Sequence, residues 1–232
     1  MKLRNSTIVV AAVAMVAMVQ TAQAVITDTL ADLTSATGNY NSLAIGDKTF
    51  SGFGYTASAL TGFDANNVIV TASEDANGVY FLTWSGNVAA LASLTPTTGD
   101  LLLNYKVTAS AGVIATIDQG YDGSGIIKVD ETVSPSSGMV PVVGYSHLDT
   151  YDMSDPPAEP TDLLNLTTPG SVLYVTKDIG LAALPGNIFA SISQVEQSFE
   201  QVPEPTTVLA GALLLLPLGA STLRILRKNR MS

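Results

Sequence analysis

Chemistry in this chain would fall mainly to carboxylates, and they gather most densely in His147–Asp162, HLDTYDMSDPPAEPTD. Asp149, Asp152, Asp155, Glu159 and Asp162 stand there among three prolines. Such a run reads either as a solvated loop or as a calcium-binding loop, because a hard cation wants several clustered oxygen ligands. On the second reading Asp149, Asp152 and Asp155 are the metal ligands, and calcium is the only cofactor the residues suggest. A second acidic stretch, Asp118-Gln119-Gly120-Tyr121-Asp122-Gly123, puts acids at the first and fifth positions and glycine at the sixth, as an EF-hand loop does. Its third position is Gly120 and its twelfth Val129, so the bidentate glutamate is missing and a Gly-rich turn is the better account. His147 is the single histidine. Ser146, His147 and Asp149 are neighbours in sequence, whereas a catalytic triad is assembled from distant segments. No residue is assigned a catalytic role, and the chain is expected not to be an enzyme.

Composition removes further classes. Without cysteine there can be no disulfide, thiolate zinc site, Fe–S cluster or thiol nucleophile. The formal net charge of −10 conceals an asymmetry. Between Val25 and Gln201 stand 19 acidic residues against only Lys48, Lys106, Lys128 and Lys177, with no arginine, which leaves that stretch at −15. A surface of that sign is repelled by nucleic acid and by anionic lipid, so nucleic-acid binding is not expected. Neither a phosphate loop nor a dinucleotide fingerprint is present.

The elements that must position these side chains read as short strands. NVIVTA (Asn67–Ala72) and GVYFLTW (Gly78–Trp84) flank SEDAN, a hairpin signal. Leu101–Ser110 alternates cleanly, with Tyr105 and Val107 facing one way. KTFSGFGYT (Lys48–Thr56), taken as a regular strand, places Phe50 on one side and Phe53 and Tyr55 on the other. GVIATID, IIKVDETV, SVLYVTKDI and NIFASISQVEQSF follow at a spacing that suits a sandwich or jelly roll. ITDTLADLT near Ile26 is the one helix-like candidate, and Trp84 reads as core rather than as a sugar platform. The fold class expected is all-β: a single β-sandwich or jelly-roll-like ectodomain over residues 25–201.

Both ends look like addresses. Residues 1–24 carry basic Lys2 and Arg4, an apolar stretch Ile8–Val19, and the small-residue border Ala22-Gln23-Ala24 before Val25, the layout of a signal peptide cut by signal peptidase. Its apolar stretch, about 12 residues, is shorter than the roughly 20 a bilayer needs. At the other end Thr206–Leu223 is uncharged and about 18 residues long, which as a helix spans about 27 Å. Arg224, Arg227, Lys228 and Arg230 follow, and the positive-inside bias keeps them cytoplasmic. The expectation is a transmembrane helix over 206–223 with a basic cytoplasmic tail over 224–232. Pro203 and Pro205 stiffen the segment just outside the membrane into an extended strip, with Glu204 offering one charge.

Val202-Pro203-Glu204-Pro205, an apolar span and an Arg-rich terminus, in that order, resemble the PEP-CTERM sorting signal of Gram-negative bacteria. The resemblance covers residues 202–232 and implies recognition by an exosortase, a membrane-embedded cysteine transpeptidase. On that reading Pro203, Glu204 and Pro205 are substrate positions. It also implies a route: export through the inner membrane, a single-pass intermediate held transiently by its C-terminal helix, then the cell surface or extracellular matrix. ITDTLADL, IGDKTFSGFGY and SFEQVPEP resemble the β-rich exported bodies that carry such tails, and they bring no catalytic residue with them. The function expected is therefore that of a non-enzymatic exported surface or matrix protein associated with exopolysaccharide. Two alternatives stand beside it. A carbohydrate-binding sandwich would need exposed aromatics on one face, such as Tyr121, Tyr145 and Tyr151. A glycan-active enzyme would need two carboxylates about 5–10 Å apart in a cleft.

Overall fold

The computed structural model describes residues 24–35, 41–92, 95–150, 161–185 and 189–202. Residues 1–23 of the expected signal peptide, Ala22 among them, lie outside the described residues, as do Asp152, Asp155, Tyr151, Pro203, Glu204, Pro205, the apolar run 206–223, and Arg224, Arg227, Lys228 and Arg230. Among the described residues no helix is long and apolar enough to cross a membrane.

In chain order the strands are β1 (Val25–Thr29), β2 (Ser42–Ile45), β3 (Lys48–Ser58), β4 (Ile69–Glu74), β5 (Tyr80–Leu91) and β6 (Thr97–Ala109). β7 (Val113–Ser124), β8 (Ile126–Ser134), β9 (Gly144–Asp149), β10 (Thr161–Gly170), β11 (Val172–Ala183) and β12 (Phe189–Val202) complete them. A short helix α1 (Leu30–Thr34) follows β1, and a 3-10 turn (Ala65–Asn67) precedes β4. The first sheet runs β1-β4-β5-β12-β7-β10 and the second β2-β3-β6-β11-β8-β9, every neighbouring pair antiparallel. The described residues are all-β but for one short helix and a 3-10 turn, as expected of the ectodomain, and the two sheets close on one shared core.

The two orders correspond place by place: β1 with β2, β4 with β3, β5 with β6, β12 with β11, β7 with β8, β10 with β9. Strands in matching places are consecutive in the chain, and contacts join β1 to β2, β5 to β6, β11 to β12 and β9 to β10. The β5–β6, β7–β8 and β11–β12 connections are short, which keeps their loop-closure entropy low. Period-2 patterning decides which side chains enter. On β11 Leu173, Val175, Lys177, Ile179, Leu181 and Ala183 are buried while the residues alternating with them reach the other face.

Three expectations change. Phe53 is buried together with Phe50, because the β3–β6 register shifts between Ser51 and Gly54. Gly52, at φ +63°, absorbs that bulge in a conformation side chains rarely adopt. Asp118–Ser124 is no Gly-rich turn; it is the second half of β7, held by pairing with β12, and the turn falls at Gly125 (φ +93°). ITDTLADLT splits: Ile26–Thr29 pair with Ala72–Ile69 as strand, and only Leu30–Thr34 is helical. Thr29 caps that turn, its hydroxyl accepting from the Asp32 N–H at 3.0 Å and donating to Asp32 Oδ2 at 2.7 Å.

Candidate functional site

Of the residues singled out in the sequence, Ala24 is exposed and Val25, 58% exposed, opens β1 opposite Ser73. Asp149 ends β9, paired with Lys128, and Asp162 lies on β10, so His147–Asp162 is partly strand at both its ends. Among the described residues no three His, Asp or Glu side chains converge as metal ligands. Tyr145 is 57% exposed on the second sheet, whereas Tyr121 packs partly against the core from the first. These two tyrosines therefore form no common aromatic row. Trp84 is buried, as expected for core.

The outer face of the second sheet carries three polar rows set by register. One runs Tyr145, Thr132, Thr176, Asn104; the next His147, Asp130, Asp178, Leu102; the third Asp149, Lys128, Gly180, Asp100. Asp130 is the hub. Its Oδ1 lies 2.5 Å from His147 Nδ1 and accepts from Tyr145 Oη at 2.9 Å, and its Oδ2 lies 2.5 Å from Lys128 Nζ. Desolvation alone would raise the Asp130 carboxyl, but hydrogen bonds from Lys128, His147 and Tyr145, with the charge of Lys128, hold it below its ordinary value. Asp100 goes the other way. Burial, then a hydrogen bond with Asp178 and that residue's charge, raise its carboxyl to about 6.

The interior holds a polar group that the sequence reading passed over. Lys177 on β11 and Glu131 on β8 face each other across the second sheet, and Gln119 on β7 and Gln197 on β12 face each other across the first. All four are at most 1% exposed. The two pairs meet between the sheets, Gln119 of β7 reaching Lys177 of β11 and Gln197 of β12 reaching Glu131 of β8. Lys177 Nζ donates to Gln119 Oε1 at 2.8 Å and forms an ion pair with Glu131 Oε2. Gln197 Nε2 donates to the same Oε2 at 2.6 Å, and Gln119 Nε2 donates to Ser146 Oγ at 2.6 Å. Tyr105 Oη donates to Gln197 Oε1. Glu131 Oε1 and Trp84 Nε1 are buried with no hydrogen-bond partner. Desolvation raises the Glu131 carboxyl against the attraction of Lys177, and lowers the Lys177 ammonium against the attraction of Glu131. A signal for this group existed. In Leu173-x-Val175-x-Lys177-x-Ile179 and Ile127-x-Val129-x-Glu131-x-Val133 a charge falls in phase with the apolar stripe. A separate cavity of about 20 Å³ is lined by Val68, Trp84, Val88, Leu101, Ile179 and Ile192, room for roughly one water.

A third cluster clamps the end of β12. Lys48 Nζ donates to Asp47 Oδ1 and to Gln201 Oε1, both at 2.6 Å, and lies 4.2 Å from the centre of the Tyr80 ring. Gln201 Nε2 donates to Asp47 Oδ2 at 2.7 Å and also to the Ala111 carbonyl. Gly46, at φ +54°, admits the ring: a Cβ there would stand 2.4 Å from Tyr80 Oη. Burial alone would raise the Asp47 carboxyl, yet hydrogen bonds from Lys48 and Gln201 carry it below its usual value.

No family model and no curated protein matches the chain. Among solved structures it is similar to TmCBM61 in complex with beta-1,4-galactotriose, at 14% identity and a TM-score of 0.32, over 65% of this chain and 90% of that one. A likeness at that level assigns no ligand here.

Proposed function

We propose that this chain is a non-enzymatic, exported surface or matrix protein, delivered by a removable address at each end. One observation carries the reading. The described strands run from Val25, the first residue after the expected signal-peptidase border, to Val202, the residue that precedes the Pro203-Glu204-Pro205 strip. Val202 still pairs with Val113, and the clamp on Gln201 holds the strand to its last turn of ladder. A cut before Val25 or beyond Val202 would leave every described strand whole. Pro203, Glu204 and Pro205 serve as the substrate strip of an exosortase, the apolar run 206–223 as a transient membrane helix, and Arg224, Arg227, Lys228 and Arg230 as the inward-facing stop. Replacing Pro203, Glu204 and Pro205 by alanine in the native host should leave a membrane-retained, unprocessed form. Unchanged processing and surface display would overturn the reading.

A second reading concerns what the delivered body holds. The outer face of the second sheet offers an exposed Tyr145 ring, fixed through its hydroxyl to Asp130, beside rows of Thr, Asn and Asp side chains. A flat aromatic with hydrogen-bonding neighbours suits a sugar ring. With −15 over residues 25–201 the matching polymer is a neutral polysaccharide, since an anionic one is repelled. Tyr145→Ala should abolish retention on immobilised neutral exopolysaccharide; equal retention of both forms rejects this face as the binding surface.

A further inference from the structure

The Lys177–Glu131–Gln119 group is more than a buried ion pair, and its chemistry does not depend on how the chain is sorted. A primary amine, a carboxamide and a carboxyl group lie together in a water-poor core, the amine nitrogen 2.8 Å from the carboxamide oxygen. The carboxamide is held in place at both ends, its nitrogen donating to Ser146 Oγ and its oxygen accepting from the lysine. The carboxyl group touches the amine through Oε2, while its other oxygen is buried without a partner. An unsatisfied buried carboxyl oxygen is rare and calls for an explanation.

We propose that Lys177 Nζ and Gln119 Cδ join in an isopeptide bond that ties β11 to β7 across the sandwich. Glu131 Oε2 first takes a proton from the Lys177 ammonium, leaving a neutral amine beside a neutral acid. Burial favours both of these neutral forms. The Nζ lone pair then forms a bond to Cδ, and the carbonyl electron pair moves to Oε1, which takes the proton from Glu131. Glu131 next accepts a proton from Nζ and passes it to Nε2. As the carbonyl re-forms, the Cδ–Nε2 bond breaks, and its electron pair leaves on nitrogen as ammonia; the Oε1 proton returns to Glu131. An ammonium, a carboxylate and a carboxamide become a secondary amide, a carboxylic acid and ammonia, so atoms and charge balance and no oxidant is needed. The product gives a cysteine-free chain the cross-link that a disulfide would otherwise supply. It lies between the two sheets, each of which donates one strand to the link.

The test is mass spectrometry of the full chain purified from cells that export it. Proteolysis under denaturing conditions should release the peptide containing Gln119 joined to the one containing Lys177, their combined mass lower by one ammonia. The same separation of peptides from a Lys177→Met or Gln119→Ala chain should give them unlinked at full mass. Glu131→Gln should also leave them unlinked, as the proton carrier is gone. Unlinked peptides of full mass from the folded natural chain overturn the proposal, and need no variant that folds. A loss of one water with Lys177 joined to Glu131 also overturns it, because the acceptor would then be the wrong residue. A folded Glu131→Gln chain that still forms the link removes Glu131 from the chemistry.

Discussion

Asp130 and Glu131 are consecutive on β8, and because side chains alternate along a strand one faces water and the other the core. Each meets a lysine, Lys128 outside and Lys177 inside. Side-chain exposures are 52% and 15% for the outer pair and 0% for both members of the inner one. A third pair, Lys48 with Asp47, stands between them at 0% and 21%. The chemistry is nearly constant across the three, so what differs is the solvent. In water two unit charges at contact gain about 1 kcal/mol and ions screen even that, whereas burial strengthens the attraction and adds a desolvation cost that every partner must help offset. The inner pair accordingly recruits Gln119, Gln197, Tyr105 and Ser146, while the outer one needs only the exposed tips of Tyr145 and His147. Burial, rather than charge, decides which pair organises the sandwich.

The comparison is broken most severely by removing one inner partner. Glu131→Ala leaves Lys177 without its counter-charge and Gln197 Nε2 without its acceptor in the core, and should cost about 3–5 kcal/mol in denaturant unfolding, where Asp130→Ala should cost about 1 or less. Equal losses at the two neighbours would end the distinction. Lys48→Ala sharpens the middle of the scale. It removes hydrogen bonds to Asp47 and Gln201 and a cation–π contact with Tyr80, and should cost about 1.5–3 kcal/mol with fraying of β12 visible in amide exchange.

How much of this was readable beforehand follows from the same alternation. Strands such as Leu101–Ser110 announce themselves, because Leu103, Tyr105 and Val107 keep period 2 and all three are buried. Phe53 did not, since a bulge shifts phase at Ser51–Gly54 and a one-residue slip sends a side chain to the other face. Asp118–Ser124 looked like a turn from its glycines, and pairing with β12 overrode that local preference. The inner network was half written: Lys177 and Glu131 stand in phase with buried Val, Leu and Ile, yet nothing local shows that β7 and β12 bring Gln119 and Gln197 to meet them. That depends on which strands face each other, a property of topology. The outer cluster was equally hidden, because the Asp130–His147 and Asp100–Asp178 contacts are made across strands.

A smaller effect separates the two outer carboxylates. Asp100 has a folded value of about 6, above the 3.8 of an unperturbed group, so the folded chain prefers it protonated. The stability tied to that proton is complete below 3.8 and is lost as pH rises through about 6. Asp100→Asn should therefore raise stability at neutral pH, by about 1 kcal/mol after allowance for solvent screening, and the gain should shrink as pH falls through that window. A gain that grows with acidity would reverse the sign assigned to the pair.

The most direct measurement of the central claim sets Lys177→Met beside Lys128→Met, both in a Gln119→Ala chain that keeps Lys177 unlinked, and follows thermal unfolding at low and high salt. If burial governs, Lys177→Met lowers the midpoint strongly and by the same amount at both salt concentrations, while the small effect of Lys128→Met fades as salt is added. Similar shifts for the two variants, or an inner effect that salt erases, would contradict it.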